Sequence, residues 1–190
     1  MKSILQSIKP SKEEERRFTA ATASFLRKLN EKLKGIGAKA ILGGSGAKGT
    51  WLSGSYDVDI FVPFDFKKYA DKSGELSALL EMALKKSFQN KITILHGSRD
   101  YFQVAYQRLL FEVVPILKIS KPEQARNITD ISPLHSVWVH KHAAKLKDDI
   151  RLLKQFCKAN NLYGAESYIG GFSGYVLEIL TAHYGSFEKV

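Results

Sequence analysis

Two aspartates separated by one residue are the part of this sequence that most directly indicates chemistry. Asp57 and Asp59 lie in residues 56–62, where acidic and apolar side chains alternate with the period of a β-strand. Residues two apart on a strand project to the same face, so we expect both carboxylates at one site. Carboxylates that close repel unless a cation lies between them, and Mg²⁺ prefers such oxygen ligands. The pair predicts a site for two Mg²⁺ ions of the kind that promotes phosphoryl transfer.

A third carboxylate is expected from a neighbouring strand. Glu112 interrupts residues 109–115, which are otherwise apolar, and a charge in such a run needs a partner. The structural alternative is that Asp57 and Asp59 are polar positions on an exposed strand face and that Glu112 is an edge residue.

A glycine-rich loop precedes the two aspartates. Residues 44–49, GSGAKG, match the dinucleotide pattern G-x-G-x-x-G. The context excludes that interpretation, because Gly54 breaks the helix that a dinucleotide site needs and two aspartates follow at once. A P-loop is excluded too, because Lys48 precedes Gly49 instead of following it. The remaining interpretation is that Gly44, Ser45 and nearby backbone N–H groups hold a triphosphate.

The elements that must position these residues predict an α+β fold, a mixed sheet with helices followed by a small helical domain. Ser11 and Glu14 form the pattern of a capping box at the start of the first long helix. A polar stretch at residues 118–132 separates the two parts, which we predict as domains 1–120 and 121–190. The expected helices are 11–33, 47–52, 74–88, 133–144, 147–159 and 173–184, and the expected strands are 38–42, 56–62 (ended by Pro63), 91–95, 101–106 and 109–117.

Composition indicates a polyanionic partner. The net charge is +10 over 190 residues, which favours nucleic acid, although a basic surface can also serve solubility. No apolar run suits a membrane span and the first residues do not resemble a signal peptide, so we expect a soluble, cytoplasmic protein with no membrane partner. The single cysteine, Cys157, lies in an apolar helical pattern and is expected to be a core thiol.

These motifs resemble a known family. Gly44-Ser45 followed by Asp57-Val58-Asp59 is similar to the DNA polymerase beta nucleotidyltransferase superfamily, and GSGAKGTWLSG at residues 44–54 resembles the archaeal, class I CCA-adding enzymes. The likeness continues, in order, at residues 10–15 (PSKEEE), 131–135 (ISPLH), 151–158 (RLLKQFCK), 163–166 (YGAE), 171–175 (GFSGY) and 183–188 (HYGSFE).

The resemblance implies roles for particular residues. Asp57, Asp59 and Glu112 would hold the metals, and Ser45 and Lys48, beside Gly44, would contact the triphosphate. His135, Lys154 and Tyr163, with Ser132 beside His135, would reach phosphate or sugar from the helical side of a nucleotide cleft. Taken alone, Lys154 also fits a solvated helix face, His135 a helix start and Tyr163 simple packing.

The resemblance also implies a reaction, in which a tRNA 3′-hydroxyl attacks the α-phosphate of CTP or ATP and pyrophosphate leaves. One ion, held by all three carboxylates, would lower the pKa of the hydroxyl. The other, held by Asp57 and Asp59, would bind the triphosphate. The alternatives are a related enzyme with another acceptor, such as an oligoadenylate or poly(A) synthase, and a catalytically silent RNA-binding module.

Two residues and the length depart from the family pattern. Lys48 stands where the family usually has Arg, which keeps the charge but loses the planar fork. Glu112 replaces the usual Asp and adds one methylene to a metal ligand. Family members are considerably longer, so we expect a truncated form, one half of a split enzyme whose tRNA-binding domains come from a second polypeptide, or a naturally minimal enzyme.

Overall fold

The computed structural model describes residues 1–55, 57–89, 92–165 and 168–190. The strands are β1 (Ile41–Leu42), β2 (Asp57–Phe64), β3 (Ile92–Leu95), β4 (Tyr101–Tyr106) and β5 (Leu109–Leu117). The helices are α1 (Lys2–Ile8), α2 (Lys12–Leu33), α3 (Gly44–Lys48), α4 (Phe66–Tyr69), α5 (Leu76–Phe88), α6 (Ser132–Ala143), α7 (Lys147–Ala159) and α8 (Gly174–Tyr184), with short 3₁₀ segments between and after them.

The described residues divide into two compact units that are discontinuous in sequence. The sheet unit comprises residues 16–47 and 56–134, and the helical unit comprises residues 1–15, 48–55 and 135–190. The assignment of functional domains to residues 1–120 and 121–190 stays a prediction.

A mixed sheet forms the centre of the sheet unit, with strand order β1-β2-β5-β4-β3. Strand β2 runs parallel to β5, whereas the β1–β2, β5–β4 and β4–β3 pairs are antiparallel. Strand β2 alternates exposed or half-buried with fully buried residues, so one of its faces packs inward and the other carries the acidic side chains. The predicted α+β class is confirmed.

Stacked aromatic rings hold the two long helices of this unit against the sheet. Phe25 of α2 lies between Phe111 of β5, at 4.0 Å between ring centroids, and Phe88 of α5, at 4.4 Å. Tyr106 of β4 meets this stack edge-on. Phe25 and Phe111 are fully buried, so the stack removes a large apolar area from water and fixes β5 in place.

The buried carboxylate of Asp130 connects the end of β5 with the segment that follows it. Asp130 accepts hydrogen bonds through Oδ1 from the Leu117 backbone N–H at 2.8 Å and from Arg99 Nη1 at 2.6 Å. Its Oδ2 accepts from the backbone N–H groups of Arg126 and Asn127, both at 3.0 Å. One side chain therefore ties the end of β5 to the irregular segment that leads into α6.

Two small apolar clusters make the core of the helical unit. Val139, Ala143 and Ile150 form one, and Leu153, Cys157 and Leu177 form the other. Cys157 is buried and burial raises the pKa of its thiol, which fits the expected core role.

The capping box at the start of α2 is confirmed and reaches further than the sequence indicated. Glu14 accepts from the Ser11 backbone N–H at 2.8 Å, and the Glu14 N–H donates to Ser11 Oγ at 3.2 Å. The other oxygen of Glu14 accepts from Ser53 Oγ at 2.8 Å and from the Gly54 N–H at 3.1 Å. These bonds to the charged form, led by that from the Ser11 N–H, lower the pKa of Glu14 from 4.5 to about 2.

Most predicted elements appear with shifts of a few residues, and three differences are informative. Strand β2 continues through Pro63 to Phe64, so the prediction that Pro63 ends it is wrong. Pro63 pairs with Ile116 of β5, and its carbonyl oxygen accepts a hydrogen bond from the Lys39 N–H at 3.4 Å, so the strand continues although proline supplies no donor. Helices α1 and α4 were not predicted. Tyr56 and Lys91, predicted as the first residues of strands, and Glu166, the last residue of the motif at 163–166, lie outside the described residues.

No helix within the described ranges combines the length and apolar character that crossing a membrane requires.

The contacts of Asp130 predict a large stability loss on substitution. We expect Asp130→Ala to lower the free energy of unfolding by about 3–5 kcal/mol, because the buried Arg99 guanidinium loses its counter-charge. Urea denaturation measures this loss. The exposed Asp71→Ala is the matched control and should change the free energy by less than about 0.5 kcal/mol. Equal stability of the two variants would contradict the assignment.

The lowered pKa of Glu14 predicts a pH-dependent contribution to stability. Because the folded-state value lies below the unfolded one, the contribution is fully present above about pH 4.5 and is lost as the pH falls through about 2. We expect Glu14→Gln to be less stable than wild type at pH 7, with a difference that shrinks between pH 4.5 and 2. Denaturation at a series of pH values measures it, and the exposed neighbour substitution Glu13→Gln should show no such trend.

Candidate active site

The register between β2 and β5 brings three carboxylates to one face of the sheet. Asp59 lies directly opposite Glu112 in the parallel pair, and Asp57 is two residues before Asp59. The intervening Val58 is buried on the other face. The predicted convergence of Asp57, Asp59 and Glu112 is therefore present in the strand geometry.

The pKa of the Glu112 carboxyl is raised by its surroundings, which include both aspartates. Burial raises the pKa of its carboxyl, and the negative charges of Asp59 and Asp57 raise it further. A hydrogen bond from Gln103 Nε2 to Glu112 Oε1, 2.7 Å long, opposes this shift. Gln103 lies opposite Glu112 on the antiparallel strand β4. The three negative charges thus raise one another's energy, and a bound cation would relieve that repulsion.

The donor set suits a hard divalent cation. All three candidate ligands are carboxylates, and Mg²⁺ prefers oxygen ligands. Their side chains do not form a closed cage, since no three His, Cys, Asp or Glu residues in the described part of the chain have the spacing of a complete metal site. The chemistry and the register fit a metal, and its binding remains a proposal.

The glycine loop approaches Asp59 so closely that a side chain cannot be accommodated. The Gly43 N–H donates to the backbone oxygen of Asp59 at 2.8 Å. A Cβ on Gly44 would lie 1.6 Å from Asp59 Oδ2, and Gly44 has a φ of +50°. Glycine is required here both for space and for backbone conformation. Ser45 is the next residue and belongs to α3, and its contact with a triphosphate stays a prediction.

A second group of candidate residues forms a buried ionic network in the helical unit. Glu178, on α8, is fully buried and accepts a hydrogen bond at Oε2 from Lys48 Nζ, at 2.6 Å. Its Oε1 accepts from Thr50 Oγ1 at 3.0 Å and from Lys154 Nζ at 3.2 Å. Lys48 is 8% exposed and Lys154 3%, so the interpretation of Lys154 as a solvated helix position is wrong.

His135 adjoins this network through an aromatic ring. The imidazole of His135 stacks on the Tyr175 ring, with 3.7 Å between centroids, and Lys48 Nζ lies 5.9 Å from the centre of the same ring. Burial lowers the pKa of His135, the Lys48 charge lowers it further, and Glu178 opposes the shift. Burial and the Glu178 charge raise the pKa of Tyr175. Both rings are thereby kept neutral near pH 7 beside a buried ammonium.

Tyr163 lies beside Lys154 at a close approach to Gly174. A Cβ on Gly174 would be 2.9 Å from the Tyr163 hydroxyl and 3.7 Å from Lys154 Nζ. The Tyr163 hydroxyl and the Lys154 ammonium therefore both border the first residue of α8. Tyr163 also packs against the Leu153, Cys157 and Leu177 cluster, so its packing role is present as well.

Arg151 fixes the segment that carries Lys48 and Thr50. Its guanidinium donates to the Gly49 backbone oxygen at 2.7 Å and to the Trp51 backbone oxygen at 3.1 Å. The same side chain pairs with Asp148 at 2.5 Å. Segment 48–55 is consequently held to α7 by a buried cation.

The structure thus gathers the predicted residues into two sets. Asp57, Asp59 and Glu112 converge in the sheet unit, with Gly44 and Ser45 at the start of α3. In the helical unit, Glu178 joins Lys48 and Lys154, Tyr175 links His135 with Lys48, and Tyr163 lies near Lys154. Ser132 begins α6, one turn before His135. The binding roles of these residues stay predictions.

Sequence reasoning missed four residues that position the candidates. Glu178 could have been found, because it interrupts the apolar run of α8 as Glu112 interrupts that of β5. Gln103, Thr50 and Arg151 carry no comparable signal.

The class of protein follows from comparison with known families. Residues 23–135 match the family described as "Nucleotidyltransferase domain", which is more than half of the chain. Residues 148–190 match "tRNA nucleotidyltransferase, second domain". The chain belongs to the nucleotidyltransferase domain family.

Three similar curated proteins are all CCA-adding enzymes. The chain is 50% identical to the CCA-adding enzyme of Nanoarchaeum equitans over 149 residues, covering 78% of this chain and 36% of that protein. It is 38% identical to that of Sulfurisphaera tokodaii, covering 98% of this chain and 44% of that protein. The corresponding values for Methanothermobacter thermautotrophicus are 35%, 99% and 42%. The chain therefore spans less than half the length of these relatives.

Solved structures with similar folds confirm the nucleotidyltransferase fold. The RNA terminal uridylyl transferase Cid1 has a TM-score of 0.66 at 19% identity, covering 96% of this chain and 50% of that chain. CdnC from E. coli MS115-1, solved with ATP, has a TM-score of 0.63 at 17% identity, covering 94% of this chain and 61% of that chain.

The contact between Gly44 and Asp59 predicts a site-specific defect. We expect Gly44→Ala to displace the Asp59 carboxylate and to weaken Mg²⁺ binding by at least roughly tenfold, the effect of losing one charged ligand contact. Isothermal titration with Mg²⁺ measures this. Gly74→Ala, where an added Cβ meets nothing within 4 Å, is the control and should bind as wild type does. Unchanged Mg²⁺ affinity in Gly44→Ala would contradict the predicted ligand role of Asp59.

Proposed function

We propose that this chain carries the catalytic site of a CCA-adding enzyme, which adds C and A from CTP and ATP to the 3′ end of tRNA without a nucleic-acid template. The observation that carries the proposal is the placement of Asp59 opposite Glu112, with Asp57 on the same face. The identity of 35–50% to three CCA-adding enzymes supports this choice of substrate.

In the proposed reaction a bond forms between the tRNA 3′-oxygen and the α-phosphorus, and the bond from that phosphorus to pyrophosphate breaks. Asp57, Asp59 and Glu112 would hold two Mg²⁺ ions. When bound, such ions lower the pKa of an attacking hydroxyl and stabilise the charge on a leaving pyrophosphate. Gln103 keeps Glu112 oriented through its 2.7 Å hydrogen bond.

The remaining candidates would bind the triphosphate. Lys48 and Lys154 supply positive charge, and the hydroxyl of Ser45 supplies a hydrogen bond. His135, whose pKa is lowered, offers a neutral imidazole, and Tyr163 a phenol, for directed hydrogen bonds to phosphate or sugar. Ser132, one turn before His135 on α6, is assigned to the same nucleotide-binding group.

The surface charge suits the proposed acceptor. A net charge of +10 attracts a polyanion such as tRNA over long range. The relatives are more than twice the length of this chain, so we propose that further polypeptide, in the same chain or in a second one, contributes to tRNA binding. A tRNA substrate also agrees with the predicted cytoplasmic location.

The proposal predicts ordered nucleotide addition that depends on the aspartates. We expect the protein to incorporate labelled CTP and ATP into tRNA lacking its CCA end in the presence of Mg²⁺. Asp57→Ala or Asp59→Ala should lower the rate by at least roughly a thousandfold, because each removes a ligand of the ions that stabilise the transition state. The exposed Asp71→Ala is the control and should keep wild-type activity.

The possible outcomes separate the alternatives. Full activity in Asp57→Ala or Asp59→Ala would overturn the site. Long runs of A on other RNAs, with no preference for tRNA, would indicate a different acceptor. Binding of Mg²⁺ and ATP without any transfer would indicate a catalytically silent module.

A further inference from the structure

Lys48 and Lys154, the two lysines proposed to bind the triphosphate, both donate to the carboxylate of Glu178. Glu178 itself has no proposed contact with the substrate. Glu178 is fully buried, and its two oxygens are used by different partners. Oε1 accepts from Thr50 and Lys154, at 3.0 and 3.2 Å, whereas Oε2 accepts from Lys48 at 2.6 Å. The carboxylate is thus anchored at one oxygen and directs the other toward Lys48.

The anchor is itself well fixed. Lys154 Nζ also donates to Thr50 Oγ1 at 3.0 Å and lies 3.4 Å from the Thr50 backbone oxygen. Arg151 holds the adjoining backbone through Gly49 and Trp51. Lys154 and Thr50 therefore give Glu178 a single orientation, which depends on α7 and on segment 48–55 together.

Lys48 needs such a support more than an arginine would. Its ammonium is a point charge on a flexible four-carbon stem, whereas a guanidinium has a rigid planar fork. Fixing that stem before the nucleotide arrives removes an entropic cost from binding.

We propose that Glu178 is a positioning residue for the triphosphate, acting through Lys48. It holds the Lys48 ammonium in the geometry that binds the β- and γ-phosphates, with Thr50 and Lys154 as its anchor. This inference rests on the proposed function, because it takes a nucleoside triphosphate to be the substrate of this site.

Binding of ATP and of AMP to the full chain tests the proposal. We expect Glu178→Gln to weaken ATP binding roughly 10- to 100-fold, the effect of losing a charge-assisted contact. Binding of AMP, which lacks the β- and γ-phosphates, should change less than twofold. In turnover, KM for ATP should rise more than kcat falls. Glu188→Gln, exposed on the same unit, is the control and should match wild type.

A double-variant cycle distinguishes positioning from general structural support. If Glu178 acts through Lys48, then Lys48→Met and Lys48→Met with Glu178→Gln should have the same ATP affinity. Additive losses, or equal weakening of ATP and AMP, would overturn the inference. Glu178→Asp keeps the charge while drawing it back, so it should show a smaller loss of the same kind. It serves as the test variant if Glu178→Gln does not fold.

These measurements separate the inference from the proposed function. A wild-type protein that binds ATP in a Glu178-dependent manner but transfers nothing to tRNA would refute the function and retain the inference. If the wild-type protein adds CCA and Glu178→Gln has an unchanged KM for ATP, the function is supported and the inference is refuted.

Discussion

The parallel register between β2 and β5 is the constraint on which the candidate catalytic face depends. It sets Asp59 opposite Glu112 and, through the period of two, puts Asp57 on the same face. A slip of one residue would turn Glu112 into the core and replace it with Phe111 or Val113. The stack of Phe25 on Phe111 and the anchoring of Leu117 by Asp130 act on β5 at both sides of Glu112 and oppose such a slip.

Each unit brings like charges close together: carboxylates in the sheet unit and ammonium groups in the helical unit. In the sheet unit, neighbouring strands bring carboxylates together, and the pKa of Glu112 is raised first by burial and then by the charges of Asp59 and Asp57. In the helical unit, α7, α8 and segment 48–55 bring two ammonium groups to one buried carboxylate.

Sequence patterns were sufficient for most of the fold and for the residues with local signals. The alternation around Asp57 and Asp59 predicted both the strand and the shared face, and Glu112 was identifiable as a charge in an apolar run. The prediction for Pro63 was wrong because its pairing with Ile116 of β5, which continues the strand to Phe64, is not visible in the local sequence. Lys154 resembled a surface residue because its partner Glu178 lies 24 residues away on another helix. Gln103 could be connected with Glu112 only through the register of β4 and β5.

Because the Glu178 network is buried, its ion pairs should respond to salt differently from the exposed charges of the protein. Exposed lysines and arginines attract polyanions through a field that dissolved ions screen over about 8–10 Å at physiological concentrations. The contacts among Lys48, Lys154 and Glu178 are short and almost inaccessible to solvent, so mobile ions screen them far less. Raising the salt concentration would therefore weaken the proposed long-range attraction of a nucleic acid, while the lysines stay arranged around Glu178.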